Sequence, residues 1–182
     1  TPSQVMAAKI PVLDGETDTA SLMAYGYDPE LSSLSPYKGA MAAVIEAMSK
    51  LVAAGIDPKH AWLSFQEYFG RTGDNPEKWG KPFAALLGAL KAQAELEVAA
   101  IGGKDSMSGT FEDIDVPPTL IAFAVSTAKA SRIVTNEWKA KDHYIYAVMP
   151  EYDENGIADF NSVRGVFDKV YSLISSGCVK SA

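Results

Sequence analysis

The stretch Ala100-Ile101-Gly102-Gly103-Lys104-Asp105-Ser106-Met107-Ser108 sets two glycines directly ahead of a lysine, an aspartate and a serine. Glycines allow close backbone approach and positive φ. A lysine brings a point charge that suits phosphate. The aspartate can hold a magnesium ion or orient Lys104, and the hydroxyls of Ser106 and Ser108 can donate hydrogen bonds. Successive N–H groups in such a turn form an anion-binding concavity. The spacing is not that of the Gly-x-x-x-x-Gly-Lys-Ser/Thr phosphate loop. On composition alone, a plain glycine turn with a solvated lysine is the better account and a phosphate-facing loop is the alternative.

Upstream, Val98 to Ile101 reads as a short buried strand that delivers the chain to the glycines. Ahead of it, Asn75-Pro76-Glu77 is a helix start, with Asn as cap, Pro at the first position and an acid near the positive end. Phe83, Leu86, Leu87, Leu90 and Ala94 continue at helical spacing, which predicts a helix over 76–97 with these residues on the core face. Ala61 to Phe69 is aromatic-rich and partly alternating, so it predicts a strand. Met41, Val44, Ile45, Met48 and Val52 predict a helix over 37–54, stopped by Gly55. Residues 14–35 hold Gly15, Gly26, Pro29 and many small polar residues, and read as an irregular surface stretch. The apolar run 4–13, broken by Pro11, suits a strand or a short helix.

Downstream, Asp113 to Pro118 is a turn and Thr119 to Thr127 a near-continuous apolar strand. A polar stretch with Lys139, Lys141 and Asp142 follows and reads as a link. His143 to Met149 predicts a strand. Asp159 then caps a helix with the apolar face Phe160, Val163, Val166, Phe167, Val170 and Ile174.

Outside the glycine stretch, Glu46 and Lys50 stand four apart on one helix face. The ordinary account is an exposed ion pair worth about 0.3–0.5 kcal/mol. The alternative is a carboxylate and an ammonium presented together to a ligand. No His, Cys and Asp cluster has metal-site spacing, and two histidines support no Ser-His-Asp set.

The 182 residues are 47% hydrophobic and 21% charged, with a net charge of -7. That composition is globular, and the acidity argues against a general nucleic-acid or anionic-membrane binder. No apolar run approaches the roughly 20 residues that span a bilayer. One cysteine, Cys178, permits no intrachain disulfide, and a reducing, cytoplasmic setting fits. Both ends read as internal to a longer polypeptide.

The glycine stretch resembles the glycine-lysine-aspartate-serine-methionine-serine segment of the phosphoribosylformylglycinamidine synthases. Its surroundings agree in order: the helix with Glu46-Ala47-Met48, the strand opening Leu63-Ser64, the helix ending Glu95-Leu96-Glu97, and the strand Leu120-Ile121-Ala122-Phe123-Ala124. The resemblance covers roughly residues 4 to 177. It implies an α+β fold. An AIR-synthase-like N-terminal domain over 1–129, a sheet packed with helices that forms a barrel on pairing, would be the second such half of the synthetase region. A linker over 130–142 and the start of an α/β domain over 143–182 would follow.

It also implies an ATP-dependent ligase that converts formylglycinamide ribonucleotide, glutamine and ATP to the amidine in purine biosynthesis. Gly103, Lys104, Asp105 and Ser106 match the family's loop and take a phosphate- or substrate-facing role by that resemblance. Glu46 matches a helix glutamate that helps hold nucleotide-bound magnesium. Position 50 departs from the pattern: the family often has Asn there, and here it is Lys50. An ammonium has no lone pair for a metal, so Lys50 either neutralises phosphate directly or pairs with Glu46. A further family aspartate is expected ahead of Thr1.

The implied cofactors are ATP or ADP with Mg2+. The implied partners are the remainder of the same polypeptide, namely the first synthetase half and the glutaminase domain, or a second copy of the chain. No residue is assigned as catalytic, and the separate segment is expected to be inactive. The alternatives are a structural, non-catalytic nucleotide-binding half and a related small-molecule ATP-dependent kinase.

Overall fold

The computed structural model describes residues 3–182. In chain order its elements are β1 (Val5–Lys9), β2 (Thr19–Gly26), α1 (Pro29–Leu34), α2 (Pro36–Ala53), β3 (Trp62–Tyr68), α3 (Pro76–Leu96), β4 (Ala100–Lys104), β5 (Thr110–Phe111), β6 (Ile114–Asp115), β7 (Thr119–Lys129) and α4 (Phe160–Ser175). Short 3-10 turns lie at Pro58–His60 and Ala130–Arg132. Five strands form one sheet in the order β1-β2-β7-β3-β4, and β5 and β6 form a separate hairpin. The fold is therefore α+β, as the sequence predicts.

The chain divides into two compact units. One comprises Tyr25–Ala47 and Trp62–Ala124. Its buried side chains come from α2 (Ala40, Met41, Ala43, Val44, Ala47), β3 (Leu63, Phe65), α3 (Ala85, Ala89, Ala92) and β7 (Leu120, Ala122, Ala124). The other comprises the stretch ending at Ala24, Met48–Ala61 and Val125–Ala182. Its buried set includes Leu22, Leu51, Val52 and Ile56, with Phe160, Val163, Phe167 and Ile174 from α4.

Helix ends follow their caps. The Asn75 side chain accepts from the amides of Glu77 and Lys78 at the start of α3, and the Asp159 side chain accepts from Ser162 N at 2.7 Å at the start of α4. Gly55, at φ 100°, closes α2 as the sequence predicts. The amide of Ile56 returns to Leu51 O there, a bond that satisfies one of the helix's last carbonyls.

Four expectations are corrected. Residues 14–35 are not irregular throughout, since they contain β2 and α1. The alternation in β2 is real, but its inward residues are mostly small (Ala20, Ala24 and Gly26 beside Leu22), so it has little hydrophobic contrast. The strand expected at Val98 to Ile101 begins at Ala100 instead, runs through both glycines to Lys104, and is exposed along its length. Only Val98, ahead of it, is buried. His143 to Met149 forms no strand, and Tyr144, Ile145, Tyr146 and Met149 are exposed. β-propensity needs a neighbouring strand to satisfy the backbone, and this segment has no ladder partner in the structure.

The fourth correction concerns α3. Its core face is made of Pro82, Ala85, Gly88, Ala89 and Ala92. The large residues Phe83, Leu86, Leu87 and Leu90, expected inside, are exposed. Small residues on the core face let helices approach closely, so residue volume, not hydrophobicity, chooses the face.

Candidate functional site

β3 and β4 run parallel, with Ser64 opposite Gly102, Phe65 opposite Gly103 and Gln66 opposite Lys104. The register shifts between Leu63 and Ser64. Gly102 and Gly103 are strand residues here, and neither has positive φ. The requirement at Gly103 is close approach: a Cβ there would lie 2.8 Å from the carbonyl oxygen of Phe65. A Cβ at Gly102 would meet nothing within 4 Å.

Beyond Lys104 the chain stays fastened to the end of β3. Ser106 N donates to Glu67 O at 3.0 Å, Phe69 N donates to Ser106 O at 2.9 Å, and Gly109 N donates to Phe69 O at 2.9 Å. The hydroxyls of Ser106 and Ser108 are 2.8 Å apart. Lys104 and Asp105 are exposed, and Ser106 is half-buried. The structure thus gathers Gly103, Lys104, Asp105 and Ser106 at the C-terminal ends of two parallel strands, on the edge strand of the sheet.

Glu67 joins this group and was not singled out from the sequence. Burial, and then the negative charge of Asp105, push its carboxyl up to about 7. The available signal was a lone acid in an apolar, aromatic strand. The folded state favours the protonated form, so Glu67 contributes most below the unfolded value near 4.5, and that stability is lost as pH rises through about 7. Glu67→Gln is therefore expected to stabilise the protein at pH 8 by roughly 1–2 kcal/mol, once solvent screening of a half-exposed carboxylate is allowed for. The gain should vanish at pH 4, and urea titrations at both pH values measure it.

Next to this group, Thr110 Oγ1 donates to Asp115 at 2.6 Å and Lys78 Nζ reaches the same carboxylate at 3.2 Å. These two bonds hold the Asp115 carboxyl below the usual range. The β5–β6 hairpin is fixed to the start of α3 in this way.

Glu46 and Lys50 lie elsewhere on α2. Glu46 Oε2 accepts from the amide of Tyr27 at 3.0 Å. Lys50 belongs to the other unit and lines a cavity of about 270 Å³ there with Ser3, Gln4, Thr135 and Asn136. Among the described residues, no three His, Cys, Asp or Glu side chains come together as a metal cradle. On α2, the Glu46 carboxylate keeps lone pairs that a cation could use beside the Tyr27 amide, whereas the Lys50 ammonium has none to offer a metal.

No profile of a known family matches the chain. Phosphoribosylformylglycinamidine synthase subunit PurL of Haloarcula marismortui is 30% identical over 107 residues, covering 57% of this chain and 14% of that protein. The subunit of Thermococcus sibiricus is 24% identical over 140 residues, covering 76% of this chain and 19% of that protein. PurL of T. maritima complexed with AMPPCP superposes with a TM-score of 0.73 at 17% identity, over 96% of this chain and 27% of that one. The chain is similar in sequence and in fold to phosphoribosylformylglycinamidine synthase. It spans less than a fifth of the length of these two curated relatives. The AIR-synthase-like architecture expected from the glycine stretch is present. No described helix is long and apolar enough to cross a membrane.

Proposed function

We propose that this chain is part of an ATP-dependent carbon–nitrogen ligase, with Gly103, Lys104, Asp105 and Ser106 forming its phosphate- or substrate-facing edge. In the reaction, ATP would phosphorylate the amide oxygen of formylglycinamide ribonucleotide. Ammonia from glutamine would then form the new carbon–nitrogen bond as phosphate leaves with the carbon–oxygen electron pair. The observation that carries the reading is the parallel β3–β4 pair, which brings a lysine, an aspartate and two hydroxyls to one strand end in a PurL-like fold. In open α/β sheets ligands bind outside the carboxyl ends of parallel strands, and the β3–β4 pair offers one such end within this mixed sheet. Lys104 would meet the transferred phosphoryl group and the Ser106–Ser108 pair would donate to its oxygens.

The first synthetase half and a glutaminase domain would supply the rest of the site. Trp62, Tyr68 and Tyr25 are exposed, and the Tyr25 ring lies tilted against Phe123 with centroids 6.3 Å apart. A partner sheet that completes a barrel would cover this apolar strand face. In this reading residues 1–129 make the barrel-forming domain, 130–142 the linker and 143–182 the opening of the next domain, where His143 to Met149 would gain its strand partner. The second reading is a structural half that holds a nucleotide without turnover, and the ammonium at position 50 favours it.

The test is an assay of amidine formation with ATP, ammonium and formylglycinamide ribonucleotide. The 182-residue chain alone is expected to give no turnover, and turnover should appear when the remaining synthetase domains are supplied. Turnover by the chain alone refutes the half-site reading, and a failure to restore turnover refutes the ligase reading.

A further inference from the structure

Trp79, Phe83, Leu86, Leu87, Leu90 and Ala94 are exposed on the side of α3 away from its alanine and glycine face. At 3.6 residues per turn the six positions fall within an arc of roughly 100°, and no charged residue interrupts it between Trp79 and Ala94. Lys91 flanks the arc, with its ammonium held by Glu95 at 2.7 Å. The Trp79 ring is held as well, because its Nε1 donates to Gly73 O at 2.9 Å. The whole helix lies in one of the two compact units.

Exposure is 50% for Trp79, 63% for Phe83, 48% for Leu86, 43% for Leu87 and 61% for Leu90. At about 150–250 Å² for a large side chain, these residues leave roughly 500 Å² of apolar surface. That is near the top of the range for the largest patch on a monomer, about 300–600 Å². Two such faces together reach roughly 1,000 Å², the size at which a specific interface begins.

The order of residues along the arc matches itself. A two-fold axis between Leu86 and Leu87 sets two copies of α3 antiparallel. On the centre line Phe83 of each copy then meets Leu90 of the other. Leu86 lies beside its own counterpart on one edge, and Leu87 does so on the other. The bulky Trp79 falls at the end of the partner helix where the apolar residue is the small Ala94. Lys91 faces an alanine, Ala84, and not a second lysine. An isologous contact requires this self-matching, and a helix with large residues or like charges at both ends would lack it.

We propose that two copies of this chain associate through the outer face of α3, antiparallel about the midpoint of Leu86 and Leu87. The contact uses none of the residues of the exposed strand face that carries Tyr25 and Trp62, and it does not rest on the ligase reading.

Sedimentation equilibrium of the 182-residue chain tests the contact. An interface of this modest area should give a dimer with a dissociation constant of about 1–100 µM. Leu87→Glu and Leu87→Lys should each weaken self-association at least tenfold, because the axis sets every introduced charge beside its own copy. An equimolar mixture of the two variants should associate at least about fivefold more tightly than either alone, since the axis then pairs opposite charges. Position 87 is half-exposed, and circular dichroism checks that both variants keep the helix. Tyr25→Ser, on the strand face, should change the dissociation constant by less than about twofold. The proposal is overturned if the parent chain stays monomeric up to about 500 µM, or if either folded Leu87 variant associates as the parent does. It is also overturned if the mixture gains nothing over its components, or if Tyr25→Ser abolishes association, which would place the contact on the sheet.

Discussion

Gly88→Val is expected to destabilise the protein by about 3 kcal/mol or more, lowering the melting temperature by roughly 6–12 °C for a chain of this size. A Cβ at Gly88 would stand 2.1 Å from the carbonyl oxygen of Tyr37, 2.9 Å from its carbonyl carbon and 3.1 Å from its Cα. All three are backbone atoms in the first turn of α2, so no rotamer change relieves the clash. Helix propensity pulls the other way, since glycine inside a helix costs up to about 1 kcal/mol relative to alanine. The steric cost wins because α3 would have to move away from α2 and uncover Ala85, Ala89 and Ala92. Gly80 is the internal control. It lies on the same helix with nothing within 4 Å of its Cβ position, and Gly80→Ala should raise stability by up to about 1 kcal/mol. Thermal melts of the two variants separate close packing from propensity. Equal effects of the two substitutions would mean that the α2–α3 contact is not what glycine serves at position 88.

The same helix shows why part of the fold was legible in the sequence and part was not. Its limits were readable because Asn75 and Pro76 are local signals that act on the backbone beside them. Its core face was not, because facing depends on what lies across the interface. Tyr37 comes so close that only Gly88 and the alanines fit, which leaves Phe83 and Leu90 outside. β2 was hidden by the same use of small residues, with Ala20, Ala24 and Gly26 turned inward. His143 to Met149 failed in the opposite direction, since its residues favour a strand but a ladder needs a second chain segment. At the candidate site, the glycine, lysine, aspartate and serine could be read as a motif. Their placement on an edge strand, and the half-buried Glu67 beside them, could not. Both depend on the parallel pairing of β3 with β4, which joins residues nearly forty positions apart.

Lys104→Ala in a full-length synthase carrying this segment is expected to lower kcat/KM for the ribonucleotide by about 100-fold or more, the usual cost of losing one charge-stabilising donor at a reacting centre. Stability should change little, because Lys104 is exposed at the end of β4 and its backbone pairing is kept. Lys104→Arg should recover only part of the loss, since a planar guanidinium does not reproduce a compact ammonium at a single oxygen. Asp105→Asn distinguishes the roles within the group. Removing that negative charge should bring the Glu67 carboxyl down from about 7 towards the ordinary carboxylate range, though not all the way, because burial is the larger cause. A pH profile that shifts to lower pH in Asp105→Asn, with Lys104→Ala lowering the rate evenly at every pH, would make Glu67 part of the working site. Full turnover by Lys104→Ala with a lower melting temperature would make this strand edge structural, and the reaction would then belong to another part of the polypeptide.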